Sequence, residues 1–100
     1  MASSIFKSLS NLLLNPTVLT ASDDMDALDI PGIYRAENTI LPLHPPVADG
    51  YNASIIVLRA RQTDIFQLWF TANKNYIYFR VNTSSEPGAW KQIGLTNVGG

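Results

Sequence analysis

The chain has 100 residues, which is enough for a single small domain with a thin hydrophobic core. Only 15% of its residues are charged, against about 25% in typical soluble domains, and the formal net charge is -1. The Lys and Arg residues are scattered, which excludes a basic surface for nucleic acid, and the absence of cysteine excludes disulfides, thiolate catalysis and zinc-finger sites.

The first predicted element is a short amphipathic helix within an N-terminal segment, residues 1–15. Apolar residues recur there at spacings of three and four, and Pro16 ends the pattern. Because a helix of about three turns is marginal alone, we expect it to pack on its own sheet, to associate with copies of itself or to anchor the protein in a larger particle. Its apolar stretch is far shorter than the ~20 residues that span a bilayer. The candidate residues for anchoring or self-association are Ile5, Phe6, Leu9, Leu12 and Leu13.

A connector, residues 16–21, leads from this segment to a single helical turn. The segment Ser22-Asp23-Asp24 precedes Met25 as an N-cap with acidic residues in the first turn would, and Pro31 prevents the turn from extending. After this turn the apolar period changes from 3.6 to 2, which indicates a sheet.

The remaining sequence, residues 22–98, predicts one mainly all-β domain, a small antiparallel meander of four to five strands. A short edge strand is expected at 33–36, and a long proline-rich loop follows at 37–50. Residues 53–60 are almost continuously apolar, which predicts a central strand that is buried on both faces.

Two alternating segments then predict a hairpin. Residues 64–71 and 76–81 alternate with period 2, and the residues between them tolerate the positive φ angles of a tight turn. Pro87 and Gly88 favour a further turn, and a last short strand is expected at 90–93.

One face of this hairpin is predicted to carry aromatic and hydrogen-bonding side chains together. The ordinary interpretation is packing, either within the domain or against a second copy. The alternative is a platform on which a sugar stacks, with Arg80 and Gln67 as hydrogen-bonding groups. The candidate contact residues are Gln67, Trp69, Tyr76, Tyr78, Arg80 and Trp90.

The sequence offers little for catalysis. His44 is the sole histidine, it lies in the proline-rich loop, and no cysteine or second histidine completes a metal site or a triad. The segment Asp24-Met25-Asp26 lacks the glycine and the distal glutamate of a calcium loop, so helix capping explains it better. We therefore predict a protein that is not an enzyme and uses no cofactor or metal.

The order of several segments is informative as a whole. In chain order they are an acidic turn at 23–28, Pro31-Gly32-Ile33-Tyr34, Ile55-Ile56-Val57-Leu58, Gln67, the strand at 75–80, and Trp90-Lys91-Gln92-Ile93. This order resembles the pyocin knob domain of phage tail fibres and of phage-tail-like bacteriocin fibres. The resemblance covers about residues 22–93.

The resemblance implies a non-enzymatic homotrimer on the virion, where it contacts other virion proteins and serves as a spacer or as a contact to a bacterial surface glycan. A capsid decoration (cement) or head-fibre protein is an alternative, because the chain starts at Met1 and is far shorter than a whole tail fibre. An alternative of another class is a soluble carbohydrate-binding module that uses Trp69, Tyr78 and Trp90. The low charge favours a surface that is partly hidden in an interface.

Overall fold

A computed structural model describes residues 16–37, 39–47, 52–71 and 75–99. Within these residues the fold is one six-stranded sheet in which the strands lie side by side in chain order. No helix among them is long and apolar enough to cross a membrane. The predicted N-terminal helix lies outside the described residues. The strands are β1 Thr17–Leu19, β2 Gly32–Ala36, β3 Ala53–Arg61, β4 Asp64–Thr71, β5 Tyr76–Asn82 and β6 Lys91–Gly94.

The mainly all-β class is confirmed, but the sheet is mixed and has one more strand than expected. β1 pairs with β2 in parallel, whereas the other neighbouring strands are antiparallel. This extra strand lies in the segment predicted as a connector, residues 16–21. It was missed because three residues are too few for an alternation of apolar and polar positions to be visible. The prediction of an edge strand at 33–36 is therefore wrong, because β1 forms the edge and β2 lies between β1 and β3. Leu19 of β1 is buried in the core.

The helical turn before β2 is confirmed as a 3-10 turn at Met25–Ala27. Asp24 is its N-cap, and its side chain accepts a hydrogen bond from the amide of Asp26 at 2.9 Å. The capping interpretation of these acids is therefore correct.

The third strand is less buried than predicted. Ala53, Ile55 and Val57 are buried, whereas Ile56 is half buried and Leu58 is 51% exposed. The prediction that this strand is buried on both faces is therefore wrong, because a run of apolar residues does not reveal whether a second layer covers the sheet.

The predicted hairpin of β4 and β5 is confirmed by its register. Gln67 lies opposite Arg80, and Trp69 lies opposite Tyr78. The turn residues 72–74 lie outside the described part of the chain. The last strand, β6, is confirmed and pairs with β5.

Alternation along the strands gives the sheet two chemically different faces. The inner face holds the core, and the segments around the 3-10 turn and the long loop pack on it through Leu28, Leu41 and Val47. Its buried residues are Leu19, Tyr34, Ala36, Ala53, Ile55, Val57, Ile65, Gln67, Trp69, Arg80 and Asn82. The outer face carries Ile33, Ile56, Leu58, Phe66, Leu68, Phe70, Ile77, Phe79, Val81 and Ile93.

Candidate functional site

A glutamine and an arginine lie at the centre of the inner face. Gln67 is 0% exposed and Arg80 is 3% exposed, and Arg80 Nε donates to Gln67 Oε1 at 2.8 Å across the β4–β5 pair. Gln67 Nε2 donates to the carbonyl oxygens of Met25 at 2.7 Å and Leu28 at 2.9 Å. Met25 is the first residue of the 3-10 turn and Leu28 is its C-cap, so Gln67 holds the turn against the sheet.

The charge of Arg80 is compensated on two sides. Its Nη1 donates to Asp26 Oδ1 at 2.9 Å, and the ring of Trp90 lies 4.3 Å from the guanidinium carbon. Burial lowers the pKa of Arg80, while the hydrogen bond and the charge of Asp26 act in the opposite direction. Because an arginine side chain does not lose its proton in proteins, the inner face holds a buried cation with a carboxylate partner.

His44 joins this arrangement from the long loop. Its Nδ1 lies 2.7 Å from Asp24 Oδ1 and 3.2 Å from Asp26 Oδ2, and its carbonyl oxygen accepts a hydrogen bond from Trp90 Nε1 at 3.2 Å. The hydrogen bond between the two side chains raises the pKa of His44 and lowers the pKa of Asp24. We call the side chains of Asp24, Asp26, His44, Gln67 and Arg80 the polar cluster.

The backbone of His44 is in an uncommon conformation. Its φ angle is 56°, which makes it the one non-glycine residue with positive φ among the residues that the structure describes. The left-handed region is disfavoured by the Cβ atom, so neighbouring contacts must hold the residue there. The backbone bonds of Leu43 with Asp23 and Met25, at 2.7 and 3.0 Å, hold the adjacent residue.

Among the residues that the structure describes, Asp24, Asp26 and His44 form a group that could hold a metal ion. Each offers one ligand atom, and these atoms lie within 4.8 Å of one another. However, Asp26 already faces the cation of Arg80 at 2.9 Å, so a divalent ion would sit beside a buried positive charge. A proton on His44 balances two carboxylates against two cations without this repulsion. We therefore interpret the polar cluster as an ion-pair network.

The structure brings the candidate contact residues together, but on the inner face. Gln67, Trp69 and Arg80 are buried inside the chain, where a sugar or a second copy does not reach them. The ring of Trp69 meets that of Trp90 edge-on, with centroids 6.4 Å apart. For these residues, packing within the domain is the interpretation that the structure supports.

Two tyrosines of the candidate set are more accessible. Tyr76 and Tyr78 are half buried, and their rings meet edge-on with centroids 5.3 Å apart. Trp90 is also half buried, but one face of its ring lies against Arg80. The predicted anchor residues, Ile5 to Leu13, lie outside the described residues.

Sequence reasoning missed the pairing of His44, for which it predicted no chemistry. His44 and its partner Asp24 are 20 residues apart in the sequence. Their side chains meet because an isolated β-bridge between Asp24 and Leu43 joins the segment before the 3-10 turn to the long loop. No periodic pattern marks such a bridge. The available signal was a single histidine and a nearby Asp-x-Asp in one small domain.

Comparisons with protein-family models, with curated proteins and with solved structures found no match to this chain. The likeness to the pyocin knob domain therefore rests on the order of segments in the sequence.

Proposed function

We propose that this chain is a non-enzymatic structural module that works as a homotrimer in a phage-type fibre, either as a spacer or as a contact to a bacterial surface. The observation that carries the proposal is the apolar outer face of the sheet. The fibre context comes from the sequence resemblance.

The outer face is apolar across four neighbouring strands. Ile33, Ile56, Leu68 and Phe79 are successive partners in one row of the sheet. The described segments that pack on the core do so on the inner face, through the contacts given above. An apolar surface that extends over several strands is unusual on a soluble monomer and marks an interaction site.

The centre of this face favours a second copy as its partner. Phe66 and Phe79 stack with centroids 6.2 Å apart, and Leu58 projects beside them with half of its surface exposed. Of the charged residues on this face, Arg35 and Lys91 belong to β2 and β6 and so lie towards its borders. Arg61 and Asp64 lie opposite each other where β3 ends and β4 begins, and they pair at 3.9 Å. Copies can therefore meet through the centre without burying an unpaired charge.

The polar cluster supports a structural role. Its hydrogen bonds connect the 3-10 turn, the long loop and β5 to one another, and Gln67 and Arg80 are inaccessible to a substrate. The carbohydrate-binding alternative loses support, because Trp69 is 0% exposed. A capsid decoration protein would use the same outer face and differs in the particle to which it attaches.

Light scattering coupled to gel filtration tests self-association. We expect the full chain at micromolar concentration to have a mass of three times 11.0 kDa. The variant Leu58→Glu should shift the protein towards the monomer, because it places a charge in the interface. The matched control Thr63→Glu changes an exposed residue in the β3–β4 turn and should leave the trimer intact.

A wild-type monomer at all concentrations, with an intact fold, would contradict the proposal. So would equal masses for Leu58→Glu and Thr63→Glu. A glycan array probed with the trimer then separates the two forms of the proposal, since binding supports a surface contact and no binding supports a spacer.

A further inference from the structure

The long loop between β2 and β3 is attached to the inner face at several points. Leu41 and Val47 pack against the core, and Leu43 exchanges backbone hydrogen bonds with the segment around the 3-10 turn. Trp90 Nε1 donates a hydrogen bond to the carbonyl oxygen of His44, and the His44 side chain contacts the carboxylates of Asp24 and Asp26. Among these attachments, the contact of the His44 side chain is the one whose charge changes near neutral pH.

The charges that face His44 come from two elements. Asp24 and Asp26 belong to the segment of the 3-10 turn, and Arg80 reaches the same place from β5. With His44 protonated, two positive and two negative side chains balance. With His44 neutral, the Asp24 carboxylate loses the cation that lies 2.7 Å away, and the cluster is left with a net negative charge.

We infer that the polar cluster is a proton-operated fastening of the long loop, in which protonated His44 holds residues 39–47 against the inner face and loss of the proton releases them. This inference does not depend on the proposed trimer. It assigns a conformational role to the sole histidine of the chain.

The direction of the pH dependence follows from the two pKa shifts. The pKa of His44 is raised, so its contribution is fully present below the ordinary histidine pKa of about 6.5 and is lost as the pH rises through the raised value. The pKa of Asp24 is lowered, so its contribution is present above the ordinary value of about 3.9 and is lost only in stronger acid. The loop is thus held between these limits and loosens on the alkaline side.

The backbone of His44 strengthens this interpretation. A non-glycine residue with a φ angle of 56° is held by its surroundings, here by the side-chain contact with Asp24 and by the bond from Trp90. When the side-chain contact weakens, the residue can return to a more common conformation. The opening therefore starts at His44 and its neighbour Leu43.

Hydrogen exchange measured by NMR tests the fastening in the full chain. The single imidazole gives an unambiguous titration curve, and the protection factor of the Leu43 amide reports local opening. We expect this factor to fall about tenfold as His44 loses its proton, whereas the protection of Ile55 in the core of β3 stays constant. Equal protection of Leu43 on both sides of the titration would overturn the inference.

Three variants make the test specific. Asp24→Asn keeps an oxygen for the N-cap but removes the charge, so the pKa of His44 should fall and the loss of Leu43 protection should move to lower pH with it. His44→Asn suits the left-handed conformation and should abolish the pH dependence. Asp29→Asn, a control at an exposed acid near Arg59, should change neither property. A loss of protection that persists in His44→Asn, or that does not move in Asp24→Asn, would refute the fastening.

Discussion

The two faces of the sheet differ in which side chains they bury and in where the partners of those side chains come from. The inner face buries Gln67 and Arg80 and gives each of them partners from the same chain. The outer face carries rows of apolar side chains such as Leu68 and Phe79, which are only half buried. Polarity therefore does not distinguish the inside of this domain from its outside. The chain supplies partners for Gln67 and for Nε and Nη1 of Arg80, whereas Nη2 of Arg80 and Nε1 of Trp69 are buried without a hydrogen bond to any residue that the structure describes.

The polar character of the inner face has a structural reason. The segments that cover it have few regular hydrogen bonds, so their carbonyl groups need donors from elsewhere. Gln67 supplies two such donors, to Met25 and Leu28, and Arg80 supplies one to the carbonyl of Gly88 at 3.4 Å. An entirely apolar inner face would remove these side-chain donors, and the Met25 carbonyl would keep the Leu28 amide, which donates to it at 3.3 Å.

The largest expected effect on stability comes from a substitution at the polar centre of the inner face. Arg80→Met should lower the free energy of unfolding by about 3–5 kcal/mol, because it removes the cation that pairs with Asp26 Oδ1 and leaves the buried oxygen of Gln67 without its donor. Arg35→Met, at an exposed arginine paired with Glu37, should change it by less than about 0.5 kcal/mol. Urea denaturation measures both. Similar midpoints for the two variants would show that the inner face does not depend on its cation.

The sequence predicted which side chains share a face but not which face is inside. Alternation with period 2 places Gln67, Trp69 and Arg80 on one side of the hairpin, and the register confirms it. The choice of the inner face depends on segments 20–31 and 39–47, which pack on it without any periodic pattern. The same limit explains why the partners of His44 could not be predicted.

A pair of truncations compares the two faces directly. Ile55→Ala, at a fully buried inner position, should cost about 2–5 kcal/mol at any protein concentration. Leu68→Ala, on the outer face, should cost less, and its effect should grow with protein concentration, because association adds to the apparent stability by mass action. Thermal unfolding at several concentrations separates these effects. A concentration-independent cost at Leu68 would mean that its own chain covers the outer face.

The smallest expected effect concerns how closely the turn after β5 approaches the edge of the inner face. A Cβ atom on Gly88 would overlap the carbonyl oxygen of Val81, and the Gly88 amide donates to Asn82 Oδ1 at 2.8 Å. Gly88→Ala must therefore displace backbone and should cost about 1–3 kcal/mol.

Gly94 in β6 is the matched control for Gly88, since a Cβ atom there would meet nothing within 4 Å. Gly94→Ala should change the free energy of unfolding by less than about 0.5 kcal/mol. If both alanine variants unfold at the same urea concentration, the turn that carries Gly88 does not need its close approach to β5. The carbonyl of Gly88 then contributes little to holding Arg80, and the asymmetry between the faces depends on Gln67 and Asp26 alone.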